Sequence, residues 1–527
     1  MFCFCLFRSK LDFSNYRSTQ PLDSQGIGNI LYGMQNMSSE HESVRDLLGA
    51  ILANLAQHDA KLTLSEQEIS NAMYGMQGMD VTDSEVQAML KFLHLQLIGC
   101  AEPITCQAIG SIMYGLQNKT CDHKVVRDIL RTVCQRVNSL SEPLDIITFG
   151  SAMYSLHSMS SDVIEVRQLL IALCERLTPE MPVTEDSSTY TRSLLAALYG
   201  MQCMDSENPD VRKVLTLLTC RLQLCEPSNI TAQGFGSAIY GMQLMTCSVD
   251  HPETEALFRV LYEKVSTNSK ELIDIRAIGS ALFGLISSMK NQPDPNSRVV
   301  LTNLLTLLLN ATDEIIVVSS TKTDSENIPS MGDLQNLWRS FVLFSHFTDA
   351  SPVMTSEIKA RIARLCTELS QLTPHSTLHI TPHDNINTLP GEAKELTRIE
   401  QRVQDQVKAI LQNKPTVHIT YNEMLYGFES DIVLRVTSTD NAQQTALVPD
   451  IIRNVEVDGI THLQPRKRKF CNLRDIYLED KYGIKVSRIR LPDRQNISDD
   501  SLYDAVMGHL NGLKLFVSTQ QAQHTFF

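Results

Sequence analysis

The sequence predicts a mainly α-helical solenoid that carries a small C-terminal α/β domain. The first observation is a segment built on Tyr-Gly-Met-Gln that recurs along the 527-residue chain, as in IGNILYGMQNM around Tyr32 and FGSAIYGMQLM around Tyr240. Its aromatic residue, the anchor, returns after 42, 40, 40, 45, 41 and 43 residues, ending at Phe283. Such a period indicates one helical unit that is copied and stacked. The second observation is a change to alternating, β-branched segments from Thr416 onward.

The chain divides by pattern into five regions. We interpret residues 1–20 as an N-terminal segment that is disordered or serves in targeting, although it is no convincing transit peptide. Seven helical-pair repeats fill residues 21–312, and residues 313–372 form an atypical capping repeat, because the last repeat of a solenoid is commonly degenerate. Residues 373–415 comprise a linker and a charged helix, and residues 416–527 form the α/β domain. This gives seven to eight helix pairs.

Each repeat holds two helices, and the first helix carries the anchor. With the anchor at zero and 100° per residue, positions −5, −2, −1, +2 and +5 share one face. In the repeat of Tyr32 this face is apolar and consists of Ile27, Ile30, Leu31, Met34 and Met37. Small residues recur at −4 and +1. Because glycine inside a helix costs about 1 kcal/mol, we expect a neighbouring helix to approach closely there. The second helix is plainly amphipathic, as in SVRDLLGAILANL at 43–55. In the capping repeat we expect Trp338 to be the anchor.

The opposite face of the first helix, at positions −7, −3, 0 and +3, is an uncharged row of Gln, Asn or Ser, and Tyr that we call the polar strip. Two interpretations are open. The tyrosines and amides either bond between repeats and pack on the glycines, or they contact single-stranded RNA, with tyrosine stacking on bases and amides reading base edges. On the second interpretation the candidate RNA-binding residues are Asn29, Tyr32, Gln35, Asn71, Tyr74, Gln77, Tyr114, Gln117, Gln202, Tyr240 and Gln243.

Composition limits the function classes. The formal net charge is −14, which counts against indiscriminate binding to nucleic acid. The 13 cysteines include no CxxC pair, so we expect a reducing compartment without a disulfide framework or a zinc site. We recognise no apolar run of the length that spans a bilayer and therefore expect no membrane partner. No motif for a small-molecule cofactor or a metal is present.

The repeats resemble a known family. Segments such as ITAQGFGSAIYGMQLM and ITCQAIGSIMYGLQNK are similar to the first helix of octotricopeptide-type repeats, over residues 21 to about 312. Those are helical-pair, RNA-binding repeats of organelle gene-expression factors. The resemblance implies single-stranded RNA as partner, other RNA-processing proteins as further partners, and a mitochondrial or plastid location.

The C-terminal region resembles a second family. Strand patterns in VHITYNEM and SDIVLRV lead to NVEVDGITHL, then to a helix over 469–483 and to the strand IKVSRIRL over 484–491. With Arg474, Tyr477 and Leu478 in the helix, this order is similar to the RAP domain of organelle RNA-processing proteins. The resemblance implies a restriction-endonuclease-like α/β core.

Whether this domain is an enzyme is uncertain from the sequence, and binding is the favoured interpretation. A metal-dependent endoribonuclease needs converging carboxylates, for which Asp431, Glu456 and Asp458 are the candidates, and only that alternative requires Mg²⁺. The nuclease pattern usually has lysine at the position of Asp458, which argues against cleavage. Phosphate contacts are expected from the basic cluster of Arg466, Lys467, Arg468, Lys469 and Arg474.

Three functions therefore stay open. The favoured one is an RNA-binding protein in organellar RNA processing, stability or translation. The second is a protein-interaction scaffold with an inactive nuclease-like tail, which the acidic repeat region favours. The third is a site-specific endoribonuclease, in which the solenoid selects the site of cleavage.

Overall fold

Paired helices make up the first of two units in the computed structural model, Met1–Leu372, and the second unit, Thr373–Phe527, holds the described strands. The residues that the structure describes are 21–39, 41–58, 62–177, 187–267, 273–290, 293–321, 329–372, 398–411, 417–425, 428–436, 451–457, 465–489 and 499–512. The first 20 residues and most of the predicted linker lie outside them.

Eight helix pairs follow one another in the N-terminal unit. The first helices are α1 (Ser24–Gly33), α3 (Glu66–Gly75), α5 (Cys106–Gly115), α7 (Ile146–Tyr154), α9 (Ser187–Tyr199), α11 (Ala232–Gly241), α13 (Ile275–Lys290) and α15 (Met331–Thr348). The second helices are α2 (Glu42–His58), α4 (Ser84–Gly99), α6 (Lys124–Asn138), α8 (Ile164–Arg176), α10 (Pro209–Gln223), α12 (Pro252–Thr267), α14 (Pro295–Thr321) and α16 (Ser356–Leu372). Each first helix packs on the next first helix and each second helix on the next second helix, which confirms the predicted solenoid.

The apolar stripe of the first helix is buried, as the periodicity predicts. In repeat 6 the stripe is fully buried and consists of Phe235, Ala238, Ile239, Met242 and Met245.

The start of the helix is fixed by a feature that the periodicity does not reveal. Nine residues before the anchor, an oxygen-bearing side chain accepts a backbone N–H of the first turn, which stabilises a helix by about 1 kcal/mol. These N-cap residues are Asp23, Ser65, Thr105, Asp145 and Thr231.

The glycines at +1 allow neighbouring first helices to touch through their backbones. A Cβ atom added at these positions would lie 1.8–2.0 Å from a carbonyl oxygen of the preceding first helix, and the residues concerned are Gly75, Gly115, Gly200, Gly241 and Gly284. A Cβ added at Gly33 of repeat 1 would have no neighbouring atom within 4 Å. The expected close approach is therefore confirmed, and it occurs toward the preceding repeat.

The eighth repeat departs from the predicted boundaries. Helix α14 continues to Thr321, so the predicted end of the regular repeats at residue 312 is wrong. The predicted anchor Trp338 is also wrong. Gly279, at −4 in repeat 7, lies 3.2 Å from Ser340 Oγ, measured from a Cβ built on the glycine. In earlier repeats the glycine at −4 faces a residue of the next repeat, and that residue lies six positions before the anchor of its own repeat. Thr148, which faces Gly110 and precedes Tyr154 by six residues, is an example. The same offset makes His346 the anchor of repeat 8.

Helix α14 is the longest helix among the described residues. By length and composition alone, its stretch Pro295–Ser320 would be able to cross a membrane, a property that the sequence pattern had not revealed. In the structure α14 packs between α12 and α16, and 44% of the 18-residue apolar window in this stretch is buried. Asp313 within it pairs with Arg361 and Arg364 of α16. The helix therefore serves as an element of the solenoid.

The C-terminal unit is a mixed sheet with helices. Its elements are α17 (Arg398–Leu411), β1 (Val417–Leu425), β2 (Phe428–Val436), β3 (Ile451–Val457), α18 (Pro465–Tyr482), β4 (Lys485–Ile489) and α19 (Asp499–Gly512). The strand order is β1-β2-β3-β4; β1, β2 and β3 pair antiparallel, and β4 pairs parallel with β3. Helix α18 makes the crossover and ends at Gly483, whose φ of +68° suits a C-terminal glycine.

The core of this unit includes a helix that the pattern assigned to the linker. One buried cluster joins residues of α17, β2, β3, β4 and α19, among them Val407, Leu434 and Leu502. Helix α17 therefore belongs to the folded unit, and α19 is an element that the sequence did not predict. The charged helix that the sequence predicts within residues 373–415 is observed over Arg398–Leu411.

Candidate nucleic-acid interface

The anchors of the first six repeats form a continuous ladder of tyrosine rings. The rings belong to Tyr32, Tyr74, Tyr114, Tyr154, Tyr199 and Tyr240, and consecutive ring centroids lie 5.7, 5.2, 6.3, 5.3 and 6.2 Å apart. All five pairs are stacked, with interplanar angles of 29° or less. This is the range in which offset aromatic pairs attract one another. The ladder forms because the first helices lie close together. Glycine stands at +1 in repeats 2, 3, 5 and 6, and Ser155 stands there in repeat 4.

The inner rings of the ladder cannot also stack on nucleotide bases. Tyr74 has a stacked ring on each side, as does Tyr114, so no face is left for a nucleotide. The hydroxyl groups of Tyr74 and Tyr154 stay protonated, because burial and the neighbouring tyrosines raise the pKa of Tyr74, and burial raises that of Tyr154. Tyr32, at the end of the ladder, is 42% exposed and has one stacked ring among the described residues. These stacked neighbours argue against the expectation that Tyr74 and Tyr114 stack on bases.

The amides at +3 follow the ladder and bond along it. Gln117 Nε2 donates to Gln77 Oε1 at 2.8 Å. In repeat 4 this position holds His157, whose Nε2 lies 3.0 Å from Asn118 Oδ1 and whose Nδ1 lies 2.8 Å from Tyr154 O. Burial lowers the pKa of His157, so it is neutral at physiological pH. The amides of Gln77 in repeat 2 and Gln117 in repeat 3 are therefore hydrogen-bonded to each other across the repeat junction.

Toward repeat 6 the polar strip is buried. Gln202 is 1% exposed, Gln243 2% and Tyr240 3%, so the structure does not present these three predicted RNA contacts at the surface. The cause for Gln243 lies in repeat 7. There α13 runs seven residues past Phe283, while the first helices of repeats 1–6 end at or next to the anchor. Ser287 and Ser288 in this extension donate to the carbonyls of Gln243 and Met245 and so close over the strip.

An exposed set of amides remains along the first helices. At −7, four glutamines of the polar strip are exposed, and they are Gln25, Gln67, Gln107 and Gln233. At −3, Asn29 is exposed and Asn71 is half-buried. Gln35 is half-buried at the N-terminal end of the strip. These side chains can donate and accept hydrogen bonds at the surface, which is the chemistry that base edges require.

Arginines of the second helices have structural roles that the sequence did not reveal. Four arginines donate from Nη1 to the carbonyl six residues earlier, in the turn before their helix, and they are Arg45, Arg127, Arg167 and Arg212. Near the helix end, Arg136 Nη2 donates to Leu97 O and Cys100 O of the preceding repeat at 2.9 and 2.7 Å. Recurrence of Val-Arg, with the arginine 13 residues after the anchor in repeats 1, 3, 4 and 5, was the available signal. These cations hold backbone carbonyls and are poorly placed for phosphates.

In the C-terminal unit the predicted carboxylates lie on adjacent strands. Ile432 pairs with Val455 in the register of β2 and β3, which makes Asp431 and Glu456 the next pair of positions. Across β3 and β4, Glu456 is the register partner of Arg488. Asp458 lies outside the described residues, as do the side chains of Asp431 and Glu456.

Arg474 is not available for phosphate, in contrast to the expectation. It is 5% exposed, and its Nε and Nη2 donate to Asp475 Oδ1 at 2.9 and 2.8 Å. Arg488 Nε donates to the other oxygen of the same carboxylate at 3.1 Å. This cluster ties α18 to β4. The other four residues of the basic cluster, Arg466–Lys469, occupy the first turns of α18, and their side chains lie outside the described part.

Within the part of the chain that the structure describes, no group of three or more His, Cys, Asp or Glu side chains is arranged to hold a metal. The thiols of Cys174 and Cys247 are unreactive by environment, since burial raises the pKa of each to about 12. Comparisons with protein-family models, curated proteins and solved structures give no match.

Proposed function

We propose that the protein binds single-stranded RNA and acts in organellar RNA processing, stability or translation. The observation that carries this proposal is the element order of the C-terminal unit: a helix, three antiparallel strands, a crossover helix and a parallel fourth strand. It supports the restriction-endonuclease-like core that the resemblance to RAP domains implies. Asp431 and Glu456 then stand on adjacent strands, where that resemblance expects acidic residues. A helical-repeat solenoid ahead of such a domain is the combination expected of organelle RNA factors.

The two units would contribute different contacts. Phosphate contacts would come from Arg466–Lys469 in the first turns of α18, the densest run of positive charge in the sequence. The solenoid would contribute hydrogen bonds to base edges from its exposed amides at −7 and −3, because many of its arginines hold backbone carbonyls or acidic side chains. Phosphate binding would then set affinity, and the amides would modulate sequence preference.

The candidate carboxylates fit a divalent metal poorly. Arg488 occupies the register position beside Glu456, and its guanidinium is tied to Asp475, so a fixed positive charge stands close to where a metal would bind. Asp458 replaces the lysine that would stabilise an attacking hydroxide. We therefore propose RNA binding without efficient cleavage.

A protein-interaction scaffold is the second candidate. It is favoured because much of the polar strip makes its contacts within the solenoid. Tyrosine rings stack on one another, and Gln117 donates a hydrogen bond to Gln77. The net charge of −14 also favours a protein partner over a polyanion.

Removing the charges of Arg466, Lys467, Arg468 and Lys469 by substitution with glutamine is expected to flatten the salt dependence of RNA binding. Each lost phosphate contact lowers the slope of log affinity against log salt by about 0.7 for a single strand. The measurement is fluorescence anisotropy of the full chain with a labelled single-stranded RNA of mixed sequence, repeated over a series of salt concentrations.

A matched control removes four exposed cations from the solenoid, Lys124, Arg131, Lys213 and Arg276, whose side chains are 80%, 51%, 68% and 80% exposed. This control variant should keep the wild-type slope. Equal losses in the two variants would contradict the assignment of phosphate contacts to α18. Absence of RNA binding by the wild-type chain would favour the scaffold. Cleavage in Mg²⁺ or Mn²⁺ that disappears in Glu456→Gln would establish the endoribonuclease alternative.

A second experiment separates reading of bases from structural bonding within the strip. Alanine at the exposed Asn29, Gln67, Gln107 and Gln233 is expected to weaken RNA binding several-fold while the melting temperature stays unchanged. Alanine at Gln77 and Gln117 should lower the melting temperature instead, because it removes their mutual hydrogen bond. Melting temperature and RNA affinity are measured on the same samples. Unchanged affinity in the first variant would assign RNA contact to the C-terminal unit alone.

A further inference from the structure

Lys119 is a lysine in the hydrophobic core of the solenoid. It stands at +5 after its anchor, where five other repeats carry methionine, namely Met37, Met79, Met159, Met204 and Met245. Its side chain is 1% exposed. Nζ donates to Met76 O at 2.7 Å. Because Met76 belongs to repeat 2 and Lys119 to repeat 3, the amine lies at the junction between these two repeats.

The surroundings of the amine suit its neutral form. An ammonium group offers three donors, and the structure gives Lys119 one hydrogen bond. Asp80, in the turn after α3, is the one charged group among the described residues that acts on it, and this carboxylate already accepts the N–H and hydroxyl of Thr82 at 2.8 Å. A charge in this place would be buried without full compensation, which is unfavourable.

Two titratable groups near this junction, Cys121 and His157, carry no charge at physiological pH. Burial raises the pKa of the Cys121 thiol to about 12, so it stays protonated. Burial lowers the pKa of His157, which bonds to Asn118 from the following repeat. Neither group can balance a charged Lys119.

We propose that Lys119 makes the junction of repeats 2 and 3 a pH-dependent contact, closed while its amine is neutral and easier to open once the amine is protonated. Opening would separate the ring pair of Tyr74 and Tyr114 and the amide pair of Gln77 and Gln117. The proposal does not depend on RNA binding, since it concerns a contact within the solenoid.

The direction of the effect follows from proton linkage. Burial lowers the pKa of Lys119 to about 7 in the closed junction, whereas an opened, hydrated lysine has its ordinary pKa of 10.5. Between these values the open form binds the additional proton, so opening becomes less favourable as the pH rises. Below pH 7 both forms are charged and the dependence ends. The opening constant should fall by up to about tenfold per pH unit above pH 7.

Hydrogen exchange measured by mass spectrometry tests this on the full chain between pH 6 and 9, after correction for the intrinsic exchange rates. Peptides from α3, α5 and the turns that follow them should show the predicted fall in the opening constant above pH 7. Peptides from α9 and α11, whose junction holds Met245 at the equivalent position, should not. Lys119→Met, which installs the residue of the other repeats, should lower the opening constant at pH 7 and remove its pH dependence.

Two results would overturn the proposal. One is a wild-type opening constant at this junction that does not change from pH 7 to 9. The other is the same pH dependence in Lys119→Met as in the wild-type chain, which would place the titrating group elsewhere. Melting temperatures give a second test. The melting temperature of Lys119→Met should exceed that of the wild type at pH 7, and the difference should shrink as the pH rises toward 10.

Discussion

Alanine at Gly241 is expected to destabilise the solenoid strongly, although it adds a single methyl group and raises helix propensity. The new Cβ would lie 1.8 Å from Leu198 O and 2.9 Å from Tyr199 Cα, both of which are backbone atoms that cannot rotate away. Helices α9 and α11 would have to move apart, which breaks the stacking of Tyr199 on Tyr240. The expected cost is at the upper end for an overpacked core, about 3 kcal/mol.

The matched control is Gly33→Ala. This glycine has the same position in its repeat, but no atom lies within 4 Å of the added Cβ. Its substitution should be neutral or stabilising by up to about 1 kcal/mol, because alanine is the better helix former. Urea unfolding, followed by far-UV circular dichroism, compares the two variants. Similar stabilities for both would mean that the close backbone contact at Gly241 does not exclude a side chain there.

Aspartate at Ile239 is expected to unfold at least the repeats that surround it. Ile239 is fully buried, and its backbone carbonyl lies against Gly284 of repeat 7. A carboxylate there has no partner among the apolar residues of the stripe, and an uncompensated buried charge costs about 3–5 kcal/mol. Since each repeat depends on its neighbours for stability, the loss should spread to repeats 5 and 7.

Leu244→Asp is the control for Ile239→Asp, because Leu244 lies five residues further on and is 40% exposed. It should change the free energy of unfolding by about 0.5 kcal/mol or less. Limited proteolysis and thermal melting would reveal the difference between the two variants. A melting temperature of Ile239→Asp equal to that of the wild type would refute the packing of the apolar stripe.

The parts of the fold that follow from periodicity were predictable. The stripe of Ile27, Leu31 and Met34 is buried because a helical period of 100° per residue places these positions on one side. The closeness of neighbouring helices was predictable from glycine, because a repeated cost in helix propensity needs a packing reason. Both inferences use information within one repeat.

Features that depend on distances between repeats were not predictable. Whether tyrosines one period apart touch depends on the spacing of the first helices, which no single repeat encodes. The burial of Gln243 depends on the length of α13 in the next repeat, and the end of α14 at Thr321 depends on its packing between α12 and α16. Arg474 was misassigned because sequence proximity to Arg466–Lys469 suggested a shared role. In fact the helix turns its side chain into the contact with Asp475.

The tyrosine ladder gives the chain a built-in optical probe. Phenol chromophores at centroid separations of 5.2–6.3 Å are close enough for their electronic transitions to couple, so the near-ultraviolet dichroism of repeats 1–6 should depend on the continuity of the array. The single tryptophan, Trp338, lies in repeat 8, outside the ladder. Dichroism and tryptophan fluorescence therefore observe different regions of the same solenoid. Their denaturation midpoints, recorded without any label, indicate whether the array melts as one body or from one end.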